Sequence, residues 1–417
     1  MKQLDVVRVN RYLLLILFVA FAARMIAALY LGDTVSGLSG AHDEISYSML
    51  GQRFATGHGM TFPTAWYPWI EADAPQSYYS YTISLYLAGI YKVFGYHPLA
   101  ARIITGVMST GIVWLIFLLG KRLFGTEVGL LASAIAALYA YLIFYGVTLV
   151  TETPFTLLLL LALYHTLRMR NGEISGFGAW LTLGMILAVA VLLRMAVIFF
   201  IPILLFWLYY AVRKETHPLL VAIPLMMIGV VVLPFAIRNY QLWHQFLLLE
   251  AQFGHVFWNG NHPGHLGNFH PYKVFPIPPE VLASKNDVLI TNTLLRMGLQ
   301  NVRNQPLDFL WLTLTRLREF FLFWPTADSD LLANLLRVAS FGLLVPFALS
   351  GLLVNLRRFQ ILAPIYLFIV VHTGIYAVTW TMIRYRIPLD PLFILFAAYS
   401  LWSAYQAIGQ KKAGTYP

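Results

Sequence analysis

The 417-residue chain contains no cysteine, so it can form neither a disulfide nor a thiolate metal site. Cysteine usage therefore says nothing about redox compartment. Charge is scarce as well. Only 11% of the residues are Asp, Glu, Lys or Arg, against 59% hydrophobic residues and a mean hydropathy of +0.70, which is outside the range of a soluble domain. Acids are fewer still, 18 against 28 Lys and Arg, for a net charge of +10. That excess suits anionic partners such as membrane lipids and lipid phosphates, with part of it serving topology. The basic residues are scattered rather than clustered, which argues against nucleic acid. No internal repeat and no low-complexity tract is present.

What the chain does have is long apolar runs. They occupy residues 12–31, 99–119, 128–149, 155–169, 177–193, 196–212, 219–237, 338–353, 361–379 and 387–407. The composition thus predicts an all-α polytopic membrane protein with about ten transmembrane helices. The first run is too long for a removed signal peptide and lacks a small-residue cleavage site, so it reads as an anchor and the N-terminus as unprocessed. With that terminus inside, the inner connections carry Lys2, Arg8 and Arg11, then Lys121 and Arg122, Arg168 and Arg170, Arg213 and Lys214, Arg357 and Arg358, and Lys411 and Lys412. The first outer loop instead carries Asp33, Asp43, Glu44, Glu71 and Asp73. Residues 78–94 must not span, because every later basic pair would then lie outside. They are expected to form an interfacial helix, where their tyrosines belong.

Three regions follow: an N-terminal transmembrane module, residues 1–237, whose first outer loop covers 32–98; an extracytoplasmic region, 238–330; and C-terminal transmembrane helices, 331–417. Within the second region, residues 306–324 read as an amphipathic helix lying on the membrane with Arg316, Arg318 and Glu319 on its polar side.

The chemistry-bearing residues gather at the outer ends of the spans. Ala41-His42-Asp43-Glu44-Ile45-Ser46-Tyr47 follows the first span, so its two acids lie at a membrane surface. Asp43 can be a catalytic acid or simply the N-cap of the helix starting there. Glu152, in a very short outer turn before Pro154, can be a site carboxylate or a helix-start acid complementing the dipole. Arg194 interrupts an apolar run on the outer side, as a site residue or by snorkelling. Arg384 and Arg386 break the positive-inside pattern and need an anionic partner, with Arg386 expected to be the one that grips it. Two acids opposed by three arginines at one face suit a reaction in which an acid takes a hydroxyl proton while guanidinium groups hold a departing phosphate. Arg24, inside the first span, is expected to pair with an acid or carbonyl of the bundle.

The order Asp43-Glu44, then Ala100-Ala101-Arg102, Gly120-Lys121-Arg122-Leu123-Phe124-Gly125, Thr151-Glu152 and finally Arg384-Tyr385-Arg386-Ile387-Pro388 resembles glycosyltransferase family 39. That family is of the GT-C type and includes protein O-mannosyltransferases and lipid A aminoarabinose transferases. The resemblance implies a GT-C fold, a donor sugar on a polyprenyl phosphate, and inverting transfer to a lipid, glycan or protein hydroxyl at the extracytoplasmic face of the inner membrane, with both termini cytoplasmic. It further implies Asp43 as general base, with Glu44 and Glu152 in the catalytic set, and Arg194, Arg384 and Arg386 on the donor phosphate. Tyr78, Tyr79 and His42 are expected to touch substrate. Where aminoarabinose transferases have a lysine and two prolines, this chain has Ala74-Pro75-Gln76-Ser77-Tyr78-Tyr79, which argues against that donor. No cofactor and no obligatory metal is expected, although His42, Asp43 and Glu44, or His262, His265 and His270, offer possible ligands. The alternative reading is a lipid or solute transporter, against which stand the missing repeats and the placement of most charges at one face.

Overall fold

The computed structural model describes residues 6–37, 42–327 and 329–413, with side chains as far as residue 409. Lys2 and Ala41 lie outside the described residues, as do the side chains of Lys411 and Lys412. Among the described residues the regular structure is helical apart from one isolated antiparallel bridge between Trp66 and Ile70. In order the helices are α1 (Val6–Leu31), α2 (Asp43–Ala55), α3 (Tyr81–Phe94), α4 (Pro98–Phe124), α5 (Thr126–Leu138), α6 (Ala140–Phe144), α7 (Glu152–Arg170), α8 (Gly176–Leu193) and α9 (Ile201–Val212). They continue with α10 (Ala222–Trp243), α11 (Phe253–Gly260), α12 (Pro279–Leu282), α13 (Asp287–Asn304), α14 (Pro306–Phe320), α15 (Leu331–Arg337), α16 (Leu343–Asn355), α17 (Phe359–Val378) and α18 (Asp390–Ala413).

Among the described residues, seven helical segments are long and apolar enough to cross a membrane: Val6–Leu31, Pro98–Phe124, Gly176–Leu193, Met195–Val212, Pro218–Trp243, Leu331–Val378 and Asp390–Gly409. The sixth has 48 residues. At about 1.5 Å per residue it would be roughly twice as long as a hydrocarbon core is thick. A 3₁₀ turn at Leu356–Arg358, carrying Arg357 and Arg358, divides it where the sequence places an inner loop.

The run expected at 128–149 is not one helix. α5 stops at Leu138, Tyr139 is extended, and α6 has only five residues. Polar side chains stabilise this break: the Tyr139 hydroxyl donates to Asp390 Oδ2 at 3.0 Å, and the Leu149 N–H donates to Glu44 Oε2 at 3.0 Å. Such tertiary partners leave no trace in hydropathy. α3, at 14 residues, is too short to span at about 1.5 Å per residue, as the basic pairs required.

Close packing fixes the bundle. α4 packs on α1, α5 and α7; α18 on α5 and α16; α8 on α7 and α10; α17 on α14 and α9. α4 and α5 are joined by Gly125 alone, at φ +108°. Just inside that turn a Cβ on Gly120 would lie 2.8 Å from the Gly129 Cα, so only glycine allows the two helices to come so close. Fully buried Arg24 donates to Ser109 Oγ (2.8 Å) and to the carbonyls of Ala20 (3.0 Å) and Ala137 (3.1 Å), as expected of an intramembrane cation.

The two long non-spanning regions meet in one cap. Asp287, the first residue of α13, accepts from Trp69 Nε1 and from the Ser77 N–H, both at 2.6 Å, while the Tyr78 hydroxyl bonds His255 Nδ1 at 2.8 Å. α14 forms as expected and Arg318 is exposed, but Arg316 is not on the outer polar side. Arg316 is fully buried, donating to the Thr379 carbonyl (2.5 Å) and Asn261 Oδ1 (2.8 Å), whereas Leu307, Leu310, Trp311 and Leu314 are exposed. A helix with its apolar side outermost suits a lipid surface, and the arginine faces inward because it ties α14 to the segment after α17.

Candidate active site

α2 begins at Asp43, with His42 in the capping position and making no side-chain cap bond. Asp43 is thus not the cap. Its carboxylate, 30% exposed, accepts instead from the Arg384 guanidinium. Glu44 is the next residue, and because helical neighbours point about 100° apart it faces the bundle rather than Asp43. There it is fully buried against Arg102, at 2.5 and 3.2 Å from the two terminal nitrogens. The pair that sequence treats as one unit is split into a cavity residue and a bundle brace.

Glu152 is the first residue of α7, and the break after α6 delivers it to the same place as Asp43. Its Oε1 accepts from Arg194 Nη2 at 2.5 Å and lies 3.5 Å from Arg384 Nε. Arg194 sits in extended backbone where α8 ends, so its side chain leaves the helical stack and also reaches Thr151 Oγ1 (3.2 Å) and the Tyr376 hydroxyl (2.6 Å). Both guanidinium groups lie near the Tyr385 ring, at 5.1 Å for Arg194 and 5.2 Å for Arg384. The result is a continuous ladder, Asp43–Arg384–Glu152–Arg194–Tyr376, built from the two ends of the chain and its middle.

The ladder lines a cavity of about 340 Å³. Tyr47, Ser80, Glu250, Gln252, Trp380 and Tyr385 add to its polar and aromatic lining, and Leu193, Met195, Ala196, Ile198, Phe199 and Ile375 supply apolar lining. Phe199 and Phe253, at the margin, are exposed. Such a space can hold an anion against guanidinium groups while an acid waits beside it.

Other expected residues lie elsewhere. Arg386 is fully buried behind the wall, with Nε 2.8 Å from Asp390 Oδ1, Nη1 donating to the Phe320 carbonyl at 3.2 Å, and its guanidinium over the Phe341 ring. It braces the start of α18, and Arg384 is the arginine that faces the cavity. Tyr78 and Tyr79 are buried next to the site but do not line it: Tyr78 is held by His255, and the Tyr79 hydroxyl donates to the Tyr67 carbonyl at 2.9 Å. His42 is exposed and also outside the lining. Among the described residues no three His, Asp or Glu side chains converge as a metal site.

Glu250, Tyr376, Tyr385 and Trp380 were not singled out from sequence. For Glu250 a signal existed, a lone acid closing the apolar run Phe246-Leu247-Leu248-Leu249. Burial raises its carboxyl to about 7, against smaller opposing effects of Ser80 and Arg194.

Residues 80–240 match the family model described as dolichyl-phosphate-mannose-protein mannosyltransferase. No curated protein matches the chain. Among solved structures, the apo oligosaccharyltransferase of Archaeoglobus fulgidus is similar with a TM-score of 0.61 at 15% identity, over 97% of this chain and 51% of that one. The oligosaccharyltransferase AglB of Archaeoglobus fulgidus, in complex with an inhibitory peptide and a dolichol-phosphate, gives 0.59 at 13% identity, over the same shares. This chain therefore spans about half the length of that enzyme. ArnT from Cupriavidus metallidurans bound to undecaprenyl phosphate matches 94% of this chain and 78% of its own at 14% identity, with a TM-score of 0.42. The fold is that of the GT-C membrane glycosyltransferases, and the chain is similar to family 39 of that type over the matched residues. The matched stretch contains Glu152 and Arg194 and leaves out Asp43, Glu250 and Arg384.

Proposed function

We propose that this chain is a membrane glycosyltransferase that moves a sugar from a polyprenyl-phosphate donor to the hydroxyl of a lipid, glycan or protein, with inversion at the sugar carbon. The observation that carries this reading is the ladder of two acids and two arginines in a cavity that apolar side chains also line. A lipid phosphate needs both kinds of lining, one for its charge and one for its chain. The AglB complex contains a dolichol-phosphate, a ligand of this chemical class. The mannosyltransferase family model is in keeping with it.

In this reading the acceptor O–H gives its proton to an Asp43 carboxylate oxygen as the acceptor oxygen attacks the sugar's anomeric carbon. The bond from that carbon to the phosphate oxygen breaks, and the electron pair leaves with the phosphate, which gains a second negative charge. Arg384 and Arg194 hold that growing charge more strongly than the donor's single one, which is what lowers the barrier. Donor phosphate also competes with Asp43 for Arg384, so binding frees the carboxylate to act as a base. Arg386 and Glu44 have no part in these steps and serve the bundle. The basic loops favour an extracytoplasmic active site with both termini cytoplasmic, and the family resemblance implies the inner membrane.

The test is transfer of labelled sugar from polyprenyl-phosphate donors to cell-envelope lipids, glycans and proteins by the purified chain in proteoliposomes, beside movement of the same compounds across sealed vesicles. Transfer that is lost in Asp43→Asn supports the proposal; movement without transfer would replace it with a transporter.

A further inference from the structure

Three carboxylates line the cavity, and two of them are neutralised: Asp43 by Arg384, and Glu152 by Arg194 with Arg384 at 3.5 Å. Glu250 is different. Among the described residues it forms no ion pair, although Arg194 is near enough to influence it. An uncompensated carboxylate in a partly buried site costs stability, so it is a functional candidate wherever geometry also directs it at a ligand.

The backbone does direct it. Asn239 Nδ2 donates to the Leu249 carbonyl at 2.8 Å, and the Ala251 N–H donates to the Ser77 carbonyl at 2.7 Å, so the chain is fixed on both sides of Glu250. Leu249 and Ala251 are buried, while Glu250 between them lines the cavity. Asn239 and Ser77 are themselves joined, the Ser77 hydroxyl donating to Asn239 Oδ1 at 2.9 Å. Glu250 is thus presented by a segment locked to both α10 and the first loop. Ser80 is near enough to act on its carboxyl, and Gln252, Trp380 and Tyr376 line the same cavity.

This combination has a chemical meaning. The guanidinium groups account for an anion, which the Glu250 carboxylate would repel, so this carboxylate, with the amide and aromatic rings lining the same cavity, is not needed for the phosphate. They do suit a polyol: carboxylate and amide oxygens accept from hydroxyl groups, and an aromatic face packs on the apolar C–H side of a sugar ring. A carboxyl that titrates near neutral pH serves either as donor or acceptor to a hydroxyl.

We propose that Glu250, supported by Gln252 and Ser80, binds the hydroxyl groups of the transferred sugar and sets which sugar is accepted. This rests on the glycosyltransferase reading above, and deepens it by giving the sugar a residue separate from the phosphate ladder and from the base.

The experiment measures binding and transfer by purified full-length wild type, Glu250→Gln, Glu250→Ala and Arg194→Ala. The probes are undecaprenyl phosphate and its mannosyl, glucosyl and amino-sugar esters. For the best wild-type donor, Glu250→Ala should raise KM about tenfold or more and flatten the preference among sugars, and Glu250→Gln should shift that preference with a smaller loss. Both should bind sugar-free undecaprenyl phosphate as wild type does, whereas Arg194→Ala should not. Unchanged KM and sugar preference in both Glu250 variants would overturn the sugar role while leaving the glycosyltransferase reading intact. Equal loss of sugar-free undecaprenyl phosphate would also overturn it, as structural damage, and wild type that neither binds nor transfers any probe would overturn both.

Discussion

Asp43 and Arg384 are 341 residues apart in the chain and are joined by an ion pair at the cavity wall. The pair closes the ladder that Glu152 and Arg194 begin, and it ties the start of α2 to the turn before α18. Arg384 is buried, but Asp43 keeps 30% of its side-chain surface. An acid held in this way is oriented and remains reachable by an acceptor.

Asp43→Asn should leave the fold and donor binding intact while slowing transfer by on the order of a hundredfold or more, since the amide cannot take the proton. Single-turnover rates and donor affinity, measured separately, check this. Near-normal turnover would remove Asp43 from the mechanism.

Arg384 and Arg386 should fail in different ways. Arg384→Lys keeps the charge but loses the fork that reaches Asp43 and Glu152 together, so transfer should fall with little change in thermal stability. Arg386→Ala leaves Asp390 charged and buried without its partner, a loss of about 3–5 kcal/mol. Its signature is a lowered unfolding temperature in detergent, and a folded, stable Arg386→Ala with no transfer would reverse the two assignments.

Glu44 belongs with Arg386 rather than with Asp43. Glu44→Ala should destabilise by about 3–5 kcal/mol, because Arg102 is then a buried unpaired cation. Replacing both, as Glu44→Leu with Arg102→Met, should recover part of the stability and of the transfer rate. A catalytic Glu44 would give a stable but inactive double variant.

The Glu250 carboxyl titrates at about 7 rather than near its ordinary 4.5. Between those values the folded chain binds more protons than the unfolded chain, so this group makes stability fall as pH rises from about 4.5 to 7, with the full penalty present above 7. Glu250→Gln removes that penalty. Relative to wild type it should gain stability across this window, on the order of 1–2 kcal/mol after allowance for partial exposure. Parallel unfolding-against-pH curves for the two proteins would show that the carboxyl is not raised.

Topology is checked by cysteine labelling, for which the cysteine-free chain is a ready background. A cysteine beside Lys121 and Arg122 should react only from the cytoplasm and one near Gly260 only from outside. The opposite result at both positions would invert the orientation and move the active-site face.

By itself the sequence determined the solvent in which this chain folds, the segments able to span it, and the charges that cannot be casual there. Lipid penalises an isolated charge, so Glu152, Arg194 and the arginines before α18 stand out from an apolar chain without any coordinates. The tertiary structure decided which of these charges meet. Asp43 and Glu44 are adjacent, yet helical geometry turns one to the cavity and the other to Arg102. Arg384 and Arg386 lie in a 3₁₀ turn, where each residue advances about 120°, so two residues of separation direct one to Asp43 and the other to Asp390. Hydropathy could not locate the break after α5, because it is held by Asp390 and Glu44 from distant helices. For Glu250 the sequence offers a lone acid after an apolar run but not its direction, which Asn239 and Ser77 set by holding its neighbours' backbone, a contact that order along the chain does not reveal.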